Sequence, residues 1–287
     1  MAELRIGTCS WKYSSWEGLV YSSSKDIDFL AEYSRKYNTV EVDQWFWSLF
    51  KGGKVKLPSP RDVQGYRDAV PEPFRFTVKA PNSITLTHYY QKTKTEPLEE
   101  NPHFLSVSLF QDFLKTLEPM HSNLGPILFQ FEYLNKQKMK SQQAFQERFA
   151  DFIHGLPTGF SYALELRNAN YLNRGYVDFL AATGLSPVLI QGYWMPDIVS
   201  VYRKHRDGFD RFETIVIRLH GPDRDKIEAD SSGKWNQIIA PKDTELSGIS
   251  SMIREMIQGG AHVYLNVNNH YEGSAPKTID RFLQVYG

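Results

Sequence analysis

The sequence predicts a single (β/α)8 TIM barrel, an α/β fold, and three observations carry that prediction. Eight short apolar runs with strand character recur along 287 residues, with longer helical patterns between them. Strands that alternate with helices imply right-handed parallel crossovers, and the chain is close to the roughly 250 residues usual for such a barrel. In seven of the eight runs the polar residues collect on one face. An open doubly wound sheet fits less well: the turn after the first run lacks G-x-G-x-x-G, and no G-x-x-x-x-G-K-[ST] occurs anywhere.

In chain order, the strand candidates are "LRIGTC" (4–9), "TVEVD" (39–43), "FRFTVKA" (74–80) and "PILFQF" (126–131). They continue with "YALELR" (162–167), "SPVLIQ" (186–191), "TIVIRLH" (214–220) and "HVYLNVN" (262–268). The helical patterns are "DIDFLAEYSRKY", opened by an aspartate, "HFLSVSLFQDFLKTLEPM", "SQQAFQERFADFIHGL" with Ser141 as N-cap, and "RGYVDFLAATG", closed by a glycine. "DTELSGISSMIREMIQGG" and "KTIDRFLQVY" complete the set. Irregular stretches are expected at 10–25, 44–58, 81–102, 192–212 and 221–242, all at or just past strand ends, where a barrel carries its site-building loops. No composition break, solenoid-spaced repeat or low-complexity tract interrupts the chain, so residues 1–287 read as one domain.

Side chains two apart on a strand share a face. Val40 and Val42 oppose Glu41 and Asp43; Phe74, Phe76 and Val78 oppose Arg75, Thr77 and Lys79; Ile127, Phe129 and Phe131 oppose Leu128 and Gln130. Further on, Glu165 and Arg167 share one face, as do Arg218 and His220, and as do Tyr264, Asn266 and Asn268. With the apolar face packed under the helices, the polar face points down the barrel axis, and its last residues reach the C-terminal mouth. Burying so many charges merely to pair them is a poor route to stability, since apolar fillers do as well or better. The polar face therefore reads as a site.

Thirty-three basic residues balance thirty-three acidic ones, so no global field attracts a polyanion or an anionic membrane. Nucleic acid would need a local patch, for which "YRKHR" (202–206) and "KQKMK" (136–140) are the candidates, each more commonly a solvated helix end. A small-molecule ligand is favoured over nucleic acid, and no cofactor is called for. The single cysteine, Cys9, excludes an internal disulfide and fits a reducing compartment. No signal peptide is visible and no stretch approaches the roughly 20 apolar residues of a membrane span, so the cytoplasm is the expected location.

Seven segments, "IGTCSWKYSSWEG" (6–18), "YNTVEVDQWFW" (37–47), "FRFTVKAP" (74–81), "LGPILFQF" (124–131), "YALELRNANYLN" (162–173), "VIRLHG" (216–221) and "VYLNVNNHYEGSAP" (263–276), resemble, in order, the TIM-barrel family known as domain of unknown function 72. The resemblance spans nearly the whole chain and implies the barrel fold, with no settled reaction. Ser10, Asp43, Asn168 and His270 depart from the family pattern, and the last three lie at the predicted mouth.

Three chemistries fit this face. The first is a metal-independent acid/base enzyme acting on a small anionic polyol, sugar or nucleotide-like ligand. Glu41 and Glu165 would flank the substrate as acid and base, with His220 shuttling a proton. Lys79, Arg167 and Arg218 would hold the anionic group; Asp43, Gln130, Asn266 and Asn268 would recognise hydroxyls; Trp11, Trp45 and Trp194 would supply a stacking wall. The second is a divalent-metal phosphodiesterase or isomerase using Glu41, Asp43, Glu165 and His220, weakened by three cations on the same face and by the lack of H-E-x-x-H spacing. The third is a binding module with the same pocket and no turnover. Cys9 lacks a Cys-His-Asn signature and reads as a buried apolar residue.

Overall fold

Alternating β-branched and aromatic residues turn each of the eight runs into a parallel strand in the computed structural model, which describes residues 2–91, 93 and 95–287. The strands are β1 (Leu4–Thr8), β2 (Thr39–Val42), β3 (Arg75–Lys79), β4 (Leu124–Gln130), β5 (Tyr162–Glu165), β6 (Ser186–Gly192), β7 (Thr214–Gly221) and β8 (His262–Val267). Hydrogen-bonded neighbours run β1-β8-β7-β6-β5-β4-β3-β2, the order of a barrel opened between its first two strands. Six strands stop one or two residues short of the predicted ends, which leaves Cys9, Asp43, Arg167 and Asn268, among others, in the first two positions of the following loops.

Side chains close the remaining seam. The Tyr33 hydroxyl accepts from Thr8 N at 2.8 Å and donates to Thr39 O at 3.1 Å. Asn38 Oδ1 accepts from Ile6 N at 2.8 Å. Gly7 makes the approach feasible, because a Cβ there would lie 1.9 Å from Thr39 O.

Eight helices follow the eight strands: α1 (Phe29–Lys36), α2 (Pro60–Asp68), α3 (Val107–Thr116), α4 (Gln142–His154), α5 (Arg174–Thr183), α6 (Ile198–Lys204), α7 (Asp243–Gln258) and α8 (Ala275–Tyr286). Asp28, Ser59, Ser106, Ser141, Asn173 and Asp197 each accept a first-turn N–H, satisfying donors that a helix start leaves open. Gly184 ends α5 at φ 68°. The sequence patterns leave α2 unassigned and treat the region of α6 as irregular; α2 buries only Val63 and α6 spans seven residues, too little for a clear apolar stripe. Short helices at Asn82–Thr85, Arg206–Phe209 and Arg224–Ser231 likewise occupy stretches expected to be irregular.

Outside the strands, phenylalanines from β4, α3 and α4 interlock: Phe129 lies edge-on to Phe149 and Phe152, and Phe131 to Phe145. Inside the barrel, Leu128, Ala163, Val188, Val216 and Tyr264 form a separate apolar floor. Tyr264 reaches across it to β4, where a Cβ on Gly125 would sit 2.9 Å from the ring. Among the described residues no helix is long and apolar enough to cross a membrane.

Candidate functional site

Two residues further along four of these strands, the barrel interior changes character. Leu128, Ala163, Val216 and Tyr264 give way to Gln130, Glu165, Arg218 and Asn266, as a period of two requires. Arg218 stands at the centre, 1% exposed. It donates from Nε and Nη2 to the two Glu41 oxygens at 2.7 Å each, and from Nη1 to Gln130 Oε1 at 3.1 Å and to Glu165 Oε2. Arg167 Nε donates to the other Glu165 oxygen at 3.0 Å. The bidentate contact matches the planar guanidinium fork. Burial alone would raise the Glu165 carboxyl, but Arg218 and Arg167 outweigh it and hold it below the usual range. Glu41 and Glu165 thus both direct their carboxylates at one cation.

Asp43 and Lys79 form a second pair with different properties. Val42 lies opposite Val78 across the β2–β3 ladder, so Asp43 and Lys79, each one residue on, emerge side by side at the mouth. Lys79 is 8% exposed, yet among the described residues it makes no hydrogen bond or ion pair; its ammonium rests 3.9 Å from the centre of the Phe46 ring. Burial, reinforced by Arg218, pushes the Lys79 ammonium down to about 8, against the pull of Glu41, Asp43 and Glu165. Burial and Glu41 push the Asp43 carboxyl up to about 6, against Lys79 and Arg218. Desolvation dominates both shifts.

His220 lies within reach of both Tyr193 and Cys9: its Nδ1 is 3.1 Å from the Tyr193 hydroxyl and its Nε2 3.7 Å from Cys9 Sγ. Burial, then Arg218, Arg167 and Lys79, hold its pKa well below the ordinary value, so it is a neutral imidazole rather than a group that charges near pH 7. Burial, with Glu41 and Asp43, likewise keeps the Cys9 thiol protonated. Asn266 is fully buried, and its carboxamide has no hydrogen-bond partner among the described residues.

Other predicted residues lie at the edge of this arrangement. Asn268 Oδ1 is engaged by His270, through its backbone N–H at 3.0 Å and its ring Nδ1 at 2.5 Å. Trp11 is buried, edge-on to Tyr66, while Trp45 stacks on the same ring. Trp194 is 59% exposed and donates to Arg167 O at 3.1 Å. The three tryptophans do not make one wall. Asn168 bridges Leu134 N and O at 2.9 Å each, a loop-fixing role. Among the described residues no three His, Cys, Asp or Glu side chains are arranged to hold a metal ion, and Glu41 and Glu165 are already turned to Arg218.

Two residues outside the predicted set pack against its cations. Tyr193 lies under the Arg167 guanidinium at 4.8 Å, and Phe46 under Lys79. Phe46 was within sight, in the aromatic run just past Asp43, whereas nothing in the sequence ties Tyr193 to β5.

Comparison with known proteins gives a consistent fold. A family model described as "Protein of unknown function DUF72" matches residues 5–287. A DUF72 family protein of Enterococcus faecalis V583 superposes with a TM-score of 0.69 at 19% identity, covering 99% of this chain and 95% of that one. Another from Thermotoga maritima MSB8 gives 0.63 at 20% identity, covering 98% and 97%. At such identities the likeness concerns the fold alone. A search of curated proteins finds no match.

Proposed function

We propose that this chain, which belongs to the DUF72 family, is a metal-independent acid/base enzyme of hydrolase, isomerase or lyase type, acting on a small anionic polyol, sugar or nucleotide-like ligand at the C-terminal mouth of the barrel. The observation that carries this reading is the Asp43–Lys79 pair, a carboxyl raised to about 6 beside an ammonium lowered to about 8. Groups whose pKa values converge on neutrality can give and take protons at working pH, and perturbed pairs of this kind concentrate at catalytic sites. Glu41 and Glu165, the acid and base of the simplest sequence reading, are better suited to positioning: with Arg218 they form a rigid base under the working pair. Arg167 uses Nε on Glu165, and its outer nitrogens are suited to an anionic group of the ligand.

A thermal-shift screen tests the reading. Sugar acids, phosphosugars, nucleotides and short abasic DNA are each offered with and without Mg²⁺, Mn²⁺ and Zn²⁺. A ligand at a hundredfold its dissociation constant adds ~2.7 kcal/mol, a rise of several degrees in Tm. The expected result is stabilisation by a small anion without metal; stabilisation that requires a divalent metal, or by DNA alone, contradicts it. With the ligand in hand, Asp43→Asn separates enzyme from binding module: turnover is lost while affinity stays within about tenfold.

A further inference from the structure

We propose that Lys79 is a nucleophile that forms an imine with the carbonyl carbon of an aldose, ketose or keto-acid substrate, with Asp43 as its proton partner. The inference rests on the acid/base reading above and narrows its substrate class to carbonyl compounds. Three structural observations carry it. Lys79 ends β3 on the inward face of a barrel whose interior below that level is filled with side chains. Its ammonium lies against the Phe46 ring with no ion pair or hydrogen bond among the described residues, so no partner has to be displaced before the nitrogen attacks. Asp43 emerges beside it from the neighbouring strand, one position past the Val42–Val78 pair. An amine kept only to bind anions would gain from full hydration or a matched carboxylate; one pressed on an aromatic face is desolvated, and desolvation activates lysine nucleophiles.

The chemistry balances without oxidant or reductant. The neutral Nζ attacks the carbonyl carbon, forming a C–N bond as the C=O π electrons move to oxygen, and the nitrogen then passes one proton to that oxygen to give the carbinolamine. The carbinolamine hydroxyl takes a proton from the Asp43 carboxyl and leaves as water, giving a protonated imine. That cation accepts the electron pair released when an adjacent C–H bond breaks, its proton passing to the Asp43 carboxylate, or when an adjacent C–C bond breaks, the other fragment leaving as a carbonyl compound whose hydroxyl proton passes to Asp43. The resulting enamine takes the proton back at carbon to restore the protonated imine, which water hydrolyses to the product carbonyl and the free amine. Lys79 has the free-base population this needs, since its pKa is lowered to about 8; at pH 7.5 its neutral fraction exceeds that of an ordinary lysine on the order of a hundredfold.

The test needs no knowledge of the substrate. The whole chain is incubated with 2,4-pentanedione at pH 7.5; its two carbonyls convert a neutral amine into a stable enaminone, which peptide mass mapping locates. The expected result is labelling of Lys79 at least tenfold faster than that of any other lysine, with Asp43→Asn slowing Lys79 alone. Lys79 left unlabelled, or labelled no faster than exposed lysines, overturns the proposal. The acid/base reading is judged separately by the ligand screen: in a chain that turns over a ligand without labelling at Lys79, proton transfer stands and imine chemistry falls.

Discussion

Two levels of the same barrel lie two residues apart along the strands, and along four of them the side chains change from apolar to polar. The floor of Leu128, Ala163, Val188, Val216 and Tyr264 carries no ionic side chain and one phenol, and the level above it holds Glu41, Gln130, Glu165, Arg218 and Asn266, equally buried. Both levels close the barrel from within, so closure does not demand charge. Taking Arg218 and two glutamates out of water carries a desolvation penalty of several kcal/mol per ion, and an apolar filling would serve stability as well. On the function proposed above, the difference is accounted for by an upper level that shapes the mouth, where Asp43 and Lys79 stand without the mutual pairing that quiets the ions below.

The sharpest way to break that comparison is to remove the central cation. Arg218→Met strands two buried carboxylates and costs about 3–5 kcal/mol in urea denaturation, the largest single effect expected here. Replacing Glu41 and Glu165 by leucine in the same chain recovers much of that loss; a triple variant no more stable than Arg218→Met would mean that the charges themselves hold the barrel together. At the floor, Leu128→Ala opens a cavity and costs roughly 2–5 kcal/mol. It leaves the ligand-induced shift in Tm intact, whereas Arg218→Met removes that shift. At the surface, Trp47 is 65% exposed, and Trp47→Ala changes stability by no more than ~0.5 kcal/mol, measured in the same denaturation series.

How much of this was legible in the sequence follows from the range of each interaction. The strands and their polar faces were legible because a period of two is local: Glu41, Lys79, Arg218 and Asn266 fall on the inward side by alternation alone. The helix start at Ser141 was legible because a cap is local, whereas the aspartate that opens "DIDFLAEYSRKY", Asp26, precedes the observed cap, Asp28, by two residues. The pairing was not legible. Arg218 meets Glu41 across 177 residues and Glu165 across 53, and only the closed barrel decides which carboxylates it reaches. Lys79 looked like one of three equivalent cations, yet it is the one left on the Phe46 ring while Arg167 and Arg218 find Glu165. Likewise the tryptophans carry no local sign of depth, and Trp11 is buried where Trp194 is exposed.

The distinction between quieted and poised charge is tested most directly by the pH dependence of stability in the natural chain and in Lys79→Met. The Lys79 ammonium titrates at about 8 when folded and near 10.5 when unfolded. Below pH 8 both states carry the proton, and the penalty of burying it is fully present. As pH rises toward 10.5 the folded state sheds its proton first, so the unfolded state binds more protons and folding stability increases. Urea denaturation at pH 7 is therefore expected to find Lys79→Met the more stable chain, with its advantage shrinking by about 2–3 kcal/mol by pH 10 as the natural chain gains. A difference that stays constant with pH, or a variant less stable than the natural chain at pH 7, would show that Lys79 is a paired structural ion and contradict the account.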